Sequence, residues 1–485
     1  MISALVENFK GKRYNTAIMT IRTRRFIFYS FLFLLVVSGL WVIFYSQGWR
    51  LNTENCRFND LFNCSVKLRK TGAVFIETKP KGVVIKIDNK IFQDKSGLIQ
   101  SGTLITKLSP KNYKIKIEKD GYLSWTKNLR VESGLVTEIP KIILLPEKIE
   151  KKIVSTPKPV DNFWINSQQK IVFKNNGTLY YLQDSSPNIK LRGDKFVQWS
   201  EDGNKIILQN LKNQNYYLYE LGNLSKTLNI SAVLNNLQKT SVSEIAFHPL
   251  ESNRLIVENK NGLYLLDLNR LKLEGVKELV LAWTIKNPTI YYVSQTPKSL
   301  LLTDFNLISK TSDTLADLPD NLTAISEISA SGNKVAFLTK DGGLYLFNRQ
   351  DKSLKQIAHS AEKFIFSPDN KKIAFWDKNG KINIYFLEDY QRGLHKKAGE
   401  IISLNFYLKE KGSVVKNIFW YKDSGHLLVE YIDTNGKQKV DFIEVDNKSP
   451  INKYVLVEGI SNSYYEPSSN RLYFTQENNL YFVEF

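Results

Sequence analysis

One pattern recurs along the chain from about residue 157 onward. An aromatic or apolar residue closes a short apolar run, a polar turn follows, a β-branched run comes next, and an aromatic-rich run follows a second turn. Short apolar runs between turn residues predict β-strands. The pattern has eight copies spaced 35 to 54 residues apart, and their anchor residues are Trp164, Trp199, Phe247, Trp283, Ile328, Phe366, Trp420 and Tyr465.

A repeat with several strands per unit and a period of roughly 40–45 residues is typical of a β-propeller. We therefore expect a propeller domain over residues 147–485, with eight blades if every copy is a blade. Seven blades remain if a weak copy, such as the first, is a connector. The last copy holds three strands, so we predict that Ile149 to Ser155 supplies its fourth strand and removes an open sheet edge.

The clearest copy contains the turn Ser367-Pro368-Asp369-Asn370. This turn resembles the WD-like repeats of periplasmic Tol-system propellers. Propellers present ligand-accessible faces and a channel.

Residues 72–146 read as a small antiparallel β-sandwich. Five short apolar runs separated by turn signals are its candidate strands: Val74–Ile76, Val83–Ile87, Tyr113–Ile117, Leu129–Val131 and Ile142–Leu145.

This segment resembles the PEGA domain in three places. Pro80-Lys81-Gly82-Val83 stands where that family has Pro-Glu-Gly-Ala, Leu108 to Tyr113 is similar to its Leu-x-Pro-Gly-x-Tyr turn, and Gly121-Tyr122 with Trp125 is similar to its Gly-Tyr-x-x-Trp element. Lys81, Val83 and Lys111 depart from the family's turn residues. The resemblance implies a bacterial or archaeal surface protein without catalytic residues in this domain, and core or corner roles for Tyr113, Tyr122 and Trp125.

Residues 26–45 are uncharged and largely apolar. Twenty helical residues extend roughly 30 Å, the thickness of a bilayer's hydrocarbon core. Arg22, Arg24 and Arg25 precede the segment, whereas Arg50 is nearly alone after it, so the positive-inside rule predicts a single-pass anchor with residues 1–25 as a basic cytoplasmic tail and the later domains outside. The alternative is a cleaved signal peptide, but no small-x-small cleavage site follows the apolar stretch.

Residues 46–71 read as a juxtamembrane linker that holds both cysteines of the chain, Cys56 and Cys64. In an oxidising compartment we expect them to form a disulfide, with two free thiols as the alternative. Two cysteines without neighbouring histidines do not predict a zinc site.

The sequence contains no recognisable catalytic motif, cofactor loop or metal-ligand spacing. Its four histidines are scattered, and Asp202, Asp341, Asp369 and Asp423 recur at repeat turns, where carboxylates commonly cap the backbone. The formal net charge of +19 is not gathered into a patch with stacking aromatics, so we expect no nucleic-acid partner.

The function predicted from these features is that of a membrane-anchored extracytoplasmic binding or scaffolding protein, not an enzyme. Its expected partners are the lipid bilayer and an envelope protein, peptide or polysaccharide. The alternative is a propeller enzyme acting on carbohydrate or peptide, which would need paired carboxylates or an arginine cluster at one mouth of the channel.

Two stretches depart furthest from the repeat, Leu221 to Thr240 and Tyr390 to Val415. The second carries Arg392, His395, Lys396 and Lys397, and we predict that these residues contact an acidic partner. The alternative is an ordinary solvated loop.

Overall fold

The computed structural model describes residues 20–52, 67–97, 100–156, 158–183, 189–238, 241–319, 322, 324–391, 393, 395–408, 412–446 and 448–485. The chain forms two compact units. The first comprises Met1–Glu77, Asp94–Lys114 and Asn128–Pro140, and the second comprises Thr78–Gln93, Ile115–Lys127 and Lys141–Phe485. Cys56, Cys64 and most of the basic tail lie outside the described residues.

Helix α1 (Ile21–Ser46) contains the apolar stretch, and none of its side chains is buried against the protein. It is the one helix in the described part of the chain that is long and apolar enough to cross a membrane, and a signal sequence would meet the same description. A two-stranded ribbon follows it, in which β1 (Trp49–Asn52) pairs antiparallel with β2 (Lys67–Lys70).

The segment predicted as a sandwich contains seven described strands in two antiparallel sheets. One sheet has the order β6-β3-β9 and the other β5-β4-β7-β8. Their bounds are β3 (Gly72–Lys79), β4 (Val84–Ile87), β5 (Lys90–Gln93), β6 (Thr103–Leu108), β7 (Asn112–Glu118), β8 (Trp125–Arg130) and β9 (Val136–Ile143). Tyr113 and Trp125 are buried, as their expected core role requires. Because β3, β7, β8 and β9 give residues to both units, the 72–146 boundary stays a prediction.

Eight four-stranded antiparallel sheets follow within the described residues of the second unit, and we number them as blades 1 to 8. Blade 1 is β11 (Asn162–Ile165), β12 (Ile171–Asn175), β13 (Thr178–Leu182) and β14 (Ile189–Lys190); blade 2 is β15 (Lys195–Trp199), β16 (Lys205–Asn210), β17 (Asn215–Glu220) and β18 (Asn223–Asn229), after which comes helix α2 (Ile230–Gln238). Blade 3 is β19 (Val242–Phe247), β20 (Arg254–Asn259), β21 (Gly262–Asp267) and β22 (Lys272–Glu278); blade 4 is β23 (Val280–Lys286), β24 (Thr289–Gln295), β25 (Leu300–Asn306) and β26 (Thr311–Leu318).

Blade 5 is β27 (Ile325–Ser331), β28 (Lys334–Thr339), β29 (Leu344–Asn348) and β30 (Ser353–Ala358); blade 6 is β31 (Ala361–Phe366), β32 (Lys372–Asp377), β33 (Ile382–Phe386) and β34 (Ile401–Leu404). Blade 7 is β35 (Val414–Trp420), β36 (His426–Ile432), β37 (Gln438–Glu444) and β38 (Lys453–Glu458); blade 8 is β39 (Ser463–Glu466), β40 (Arg471–Gln476), β41 (Asn479–Glu484) and the earlier strand β10 (Lys152–Val154). All eight anchor residues lie in the first strands of these blades, as the repeat predicted.

The blades form a closed ring. Each packs on the next through a cluster of buried apolar side chains. One such cluster joins blade 1 to blade 8 through Phe163, Phe173, Tyr473 and Leu480. The predicted closing strand is confirmed, since β10 pairs antiparallel with β41. Consecutive four-stranded meanders in a closed ring are the topology of a β-propeller.

Hydrogen bonds in the turns reinforce this ring. Lys170 reaches the carbonyl oxygen of Gly203 at 3.1 Å, and Lys205 reaches that of Ser252 at 3.2 Å, so the basic residue beside the second strand contacts the turn of the next blade. Arg471 of blade 8 bonds Gln169 of blade 1 in the same way.

The turn aspartates have the capping role that the sequence predicted. The Asp369 carboxylate accepts hydrogen bonds from Ser367 Oγ at 2.6 Å and from the Lys371 amide at 3.1 Å. Asp202 accepts equivalent bonds from Ser200 and Asn204.

The two predicted excursions contain regular structure that the sequence reading missed. Strand β18 and helix α2 lie in the first, and β34, the fourth strand of blade 6, lies in the second. The second stretch is therefore only partly an insertion into the repeat.

Candidate functional site: a lysine-bearing groove between blades 6 and 7

The first strands of neighbouring blades lie side by side, as in β15 with β19, β23 with β27 and β31 with β35. Near its start each of these strands has a register shift against its partner. The residues at the shift are solvent-exposed and polar in blades 3, 5, 6 and 7. We call the charged residues at or beside these shifts the rim: Lys195, Glu244, Glu327, Glu362, Lys363 and Lys416.

The rim carries both signs of charge. Solvent reaches Glu244 and Glu327, yet partial burial raises the pKa of both carboxyls. The positive charges of Lys195 and Lys363 oppose this rise, at Glu244 and Glu327 respectively.

A groove of about 370 Å³ opens beside the rim between blades 6 and 7. Blade 6 lines it with Glu362, Lys363, Trp376, Asp377, Lys378 and Gly380. Ser413 and the first residues of β35 in blade 7, Val414, Val415 and Lys416, line the other side.

Local structure fixes one wall of the groove, the turn between β32 and β33. The Asp377 carboxylate accepts hydrogen bonds from the amides of Asn379 at 2.9 Å and Lys381 at 3.0 Å. Gly380 has φ +78°, and a Cβ there would lie 1.9 Å from the Tyr407 carbonyl oxygen, so only glycine fits. The turn therefore presents Lys378 from a rigid backbone.

The three lysines of the groove carry its recognition chemistry. Lys363, Lys378 and Lys416 are exposed, and none makes an ion pair or hydrogen bond with another described residue. Of the two carboxylates in the groove, that of Asp377 is held by backbone amides, whereas that of Glu362 is exposed beside Lys363. The groove thus offers three ammonium groups to an acidic ligand.

The predicted contact loop differs from the groove in this respect. Lys396 forms an ion pair with Glu400 at 2.9 Å, and Lys397 forms one with Asp389 at 3.2 Å. His395 is exposed, and Arg392 lies outside the described residues. Both described lysines of the loop are therefore already paired with carboxylates of their own segment.

A sequence signal for the groove exists. Lys363 and Lys416 precede the anchors Phe366 and Trp420 by three and four residues. Alignment of the repeats on their anchors would have placed both lysines at the same end of neighbouring first strands. The position of Lys378 beside them depends on the β32–β33 turn, which no local pattern reveals.

No group of three or more His, Cys, Asp or Glu side chains suited to a metal ion occurs among the residues with assigned structure. The groove likewise has no arginine among its lining residues.

The closed ring of four-stranded sheets defines the chain as a β-propeller protein with an apolar N-terminal helix. No family model and no curated protein matches the chain. The PEGA resemblance therefore stays a prediction carried by its motifs.

Solved structures that are similar to this chain include several propellers. The C-terminal WD40 domain of Sif2 is 11% identical over 78% of this chain and 97% of its own, with a TM-score of 0.43. TolB from Acinetobacter baumannii is 14% identical over 57% of this chain and 76% of its own, with a TM-score of 0.29. An oligogalacturonate lyase in complex with manganese is 11% identical over 70% of this chain and 98% of its own, with a TM-score of 0.39. At these identities and scores no function is transferred.

Proposed function

We propose that this chain is a membrane-anchored binding or scaffolding protein whose propeller recognises acidic groups of an envelope protein, peptide or glycan. The observation that carries the proposal is the groove between blades 6 and 7, with three exposed lysines that form no ion pair or hydrogen bond with another described residue. Charged groups on a concave surface attract and orient a ligand of opposite sign. We also propose a non-enzymatic role. A propeller enzyme would need paired carboxylates, and the carboxylate of Asp377 in the groove already accepts hydrogen bonds from the amides of its own turn.

Neutralising the groove is the direct test. We expect the triple variant Lys363→Gln, Lys378→Gln and Lys416→Gln to bind envelope components roughly tenfold more weakly, since exposed charge contacts contribute a few tenths to one kcal/mol each. Full-length protein in detergent would be used to capture envelope extract at low and high salt, because salt screens such contacts.

The matched control is Lys396→Gln with Lys397→Gln, which removes two lysines that are already paired within the chain. This control should bind as the wild type does. Equal binding by the wild type and the groove variant at every salt concentration contradicts the proposal. Weaker binding by the Lys396→Gln, Lys397→Gln variant alone would instead place the binding site in the predicted contact loop.

The anchor itself makes a second prediction. With the N-terminus in the cytoplasm, protease added to cells whose cytoplasmic membrane is intact and whose outer layers are permeable should degrade the propeller. A reporter that is active only in the cytoplasm should be inactive when fused after Phe485 and active when fused before Met1. An N-terminal tag should remain on the same polypeptide as the propeller, because an anchor is not cleaved as a signal peptide is. Full protection of the propeller, or separation of the tag, contradicts the proposed topology.

A further inference from the structure

A very short connection joins the carboxyl end of α1 to the β1–β2 ribbon. Only Gln47 and Gly48 separate Ser46 from Trp49, and their amides bond the carbonyls of Ile43 and Tyr45, each at 3.1 Å. Three residues extend at most roughly 10 Å. The ribbon therefore begins within roughly 10 Å of the last residue of α1.

Contacts inside the first unit hold this junction. The Thr71 amide donates to the Gly48 carbonyl at 2.7 Å, and Ser133 Oγ donates to that of Gln47 at 2.9 Å. Gly48 has φ +84°, and a Cβ there would lie 2.3 Å from the Gly134 nitrogen, so the close approach requires glycine. The ribbon is therefore fixed to the helix end.

The ribbon is cationic. Its strands read Trp-Arg-Leu-Asn and Lys-Leu-Arg-Lys, with four basic residues and no carboxylate. The Arg50 guanidinium lies 3.4 Å from the centre of the Tyr45 ring, and Lys70 Nζ lies 5.3 Å from that of Trp49. Aromatic rings beside basic groups at the end of an apolar helix are the composition of a membrane interface.

We propose that this ribbon is a binding site for the phosphate of anionic phospholipids in the leaflet where α1 ends. The inference rests on the membrane-spanning role proposed for α1 and is independent of the groove. The junction between α1 and the ribbon is too short to carry the ribbon away from the membrane surface. The headgroup layer is therefore within reach of Arg50, Arg69 and Lys70. Cations at this level attract anionic lipid, and a fixed ribbon loses little entropy when it binds.

The test uses the full chain in nanodiscs of phosphatidylcholine with a minor fraction of spin-labelled phosphatidylglycerol. The wild type should immobilise the labelled lipid in preference to labelled phosphatidylcholine. The variant Arg69→Gln with Lys70→Gln should lose that preference by roughly tenfold. Lys95→Gln with Lys114→Gln, two exposed lysines elsewhere in the first unit, should retain it.

Three outcomes would overturn the inference. A wild type without preference, or a ribbon variant that keeps it, shows that the ribbon does not select the lipid. Displacement of the labelled lipid by inorganic phosphate alone shows a free-anion site instead. Release of the protein by alkaline carbonate shows that α1 does not span, which contradicts the proposed anchor and leaves the groove result unaffected. Lys70→Gln alone, with Arg69 intact, should give an intermediate preference if the double variant unfolds.

Discussion

Replacing Lys127 with alanine is expected to destabilise the folded protein by about 3–5 kcal/mol, because it leaves buried carboxylates without a counter-charge. Lys127 is 1% exposed and forms ion pairs with Glu444 and with Asp446, the latter at 2.7 Å. Glu444 also accepts hydrogen bonds from the Trp125 indole and from Asn452. We call this set the buried clamp of the second unit.

The pH dependence of the loss identifies its cause. Burial alone would raise the pKa of Glu444, but Lys127 and the neighbouring donors hold it below the ordinary value. A lowered pKa contributes stability above the ordinary carboxyl range that is lost as the pH falls through the folded pKa. Without Lys127, burial is expected to raise that pKa, so the variant should lose stability as the pH rises. The gap between wild type and Lys127→Ala should therefore narrow from pH ~7 to pH ~4.

Urea midpoints of the full chain in detergent at several pH values would measure this gap. Lys437→Ala is the matched control, because Lys437 pairs with Glu458 at 2.8 Å while both side chains are about half exposed. Exposed pairs contribute up to about 1 kcal/mol, so the control should stay near the wild type. A loss of that small size for Lys127→Ala, or a gap that does not change with pH, contradicts the clamp.

The propeller could be predicted from the sequence because its information is local and repeated. Every anchor lies in a first strand, and four of them, including Trp199 and Phe366, are its last residue just before a polar turn. Both features lie within ten residues of chain. Strand β10 was predictable by a different argument, since a three-stranded last blade leaves an edge that another strand must cover.

Helix α2 was missed although its signal is present. Ile230, Val233, Leu234 and Leu237 have helical spacing, and Ile230 and Leu234 are buried. The helix has only nine residues and stands between strands of a repeat, so the strand pattern around it outweighs its own period. The four residues of β34 are too short to show any period.

The buried clamp and the place of Lys378 in the groove were not predictable, for a physical reason. Lys127 and Glu444 are 317 residues apart and meet only when the ring is complete. A lysine in a sequence with 67 basic residues gives no sign of whether it will be buried, paired or left exposed. Lys127, Lys396 and Lys378 have these three fates, and tertiary structure alone distinguishes them.

A second buried carboxylate, Asp441 in β37, should be as sensitive as Lys127. It is fully buried and accepts hydrogen bonds from Tyr407 Oη at 2.9 Å and Tyr431 Oη at 3.4 Å, while Lys453 Nζ lies 3.1 Å away. Asp441→Ala leaves two phenols and an ammonium group without their acceptor. We expect a loss of about 3–5 kcal/mol, and a smaller loss for Asp441→Asn, which keeps an oxygen for one phenol.

The sign of the pH effect at Asp441 is opposite to that at Glu444. Burial raises the pKa of Asp441 although Lys453 opposes the rise. A carboxyl with a raised folded pKa binds more protons in the folded state, so its contribution to stability falls as the pH rises through that pKa. Lys453→Met should steepen this decrease in stability, because it removes the charge that limits the rise in the pKa of Asp441.

In Asp441→Asn this pH-dependent decrease should be absent. Lys453→Met should also lower the free energy of unfolding less in the Asp441→Asn background than in the wild type. Urea midpoints from pH ~5 to ~8 for these four proteins would decide the matter. Equal costs of Lys453→Met in both backgrounds would mean that Asp441 and Lys453 do not act as a pair.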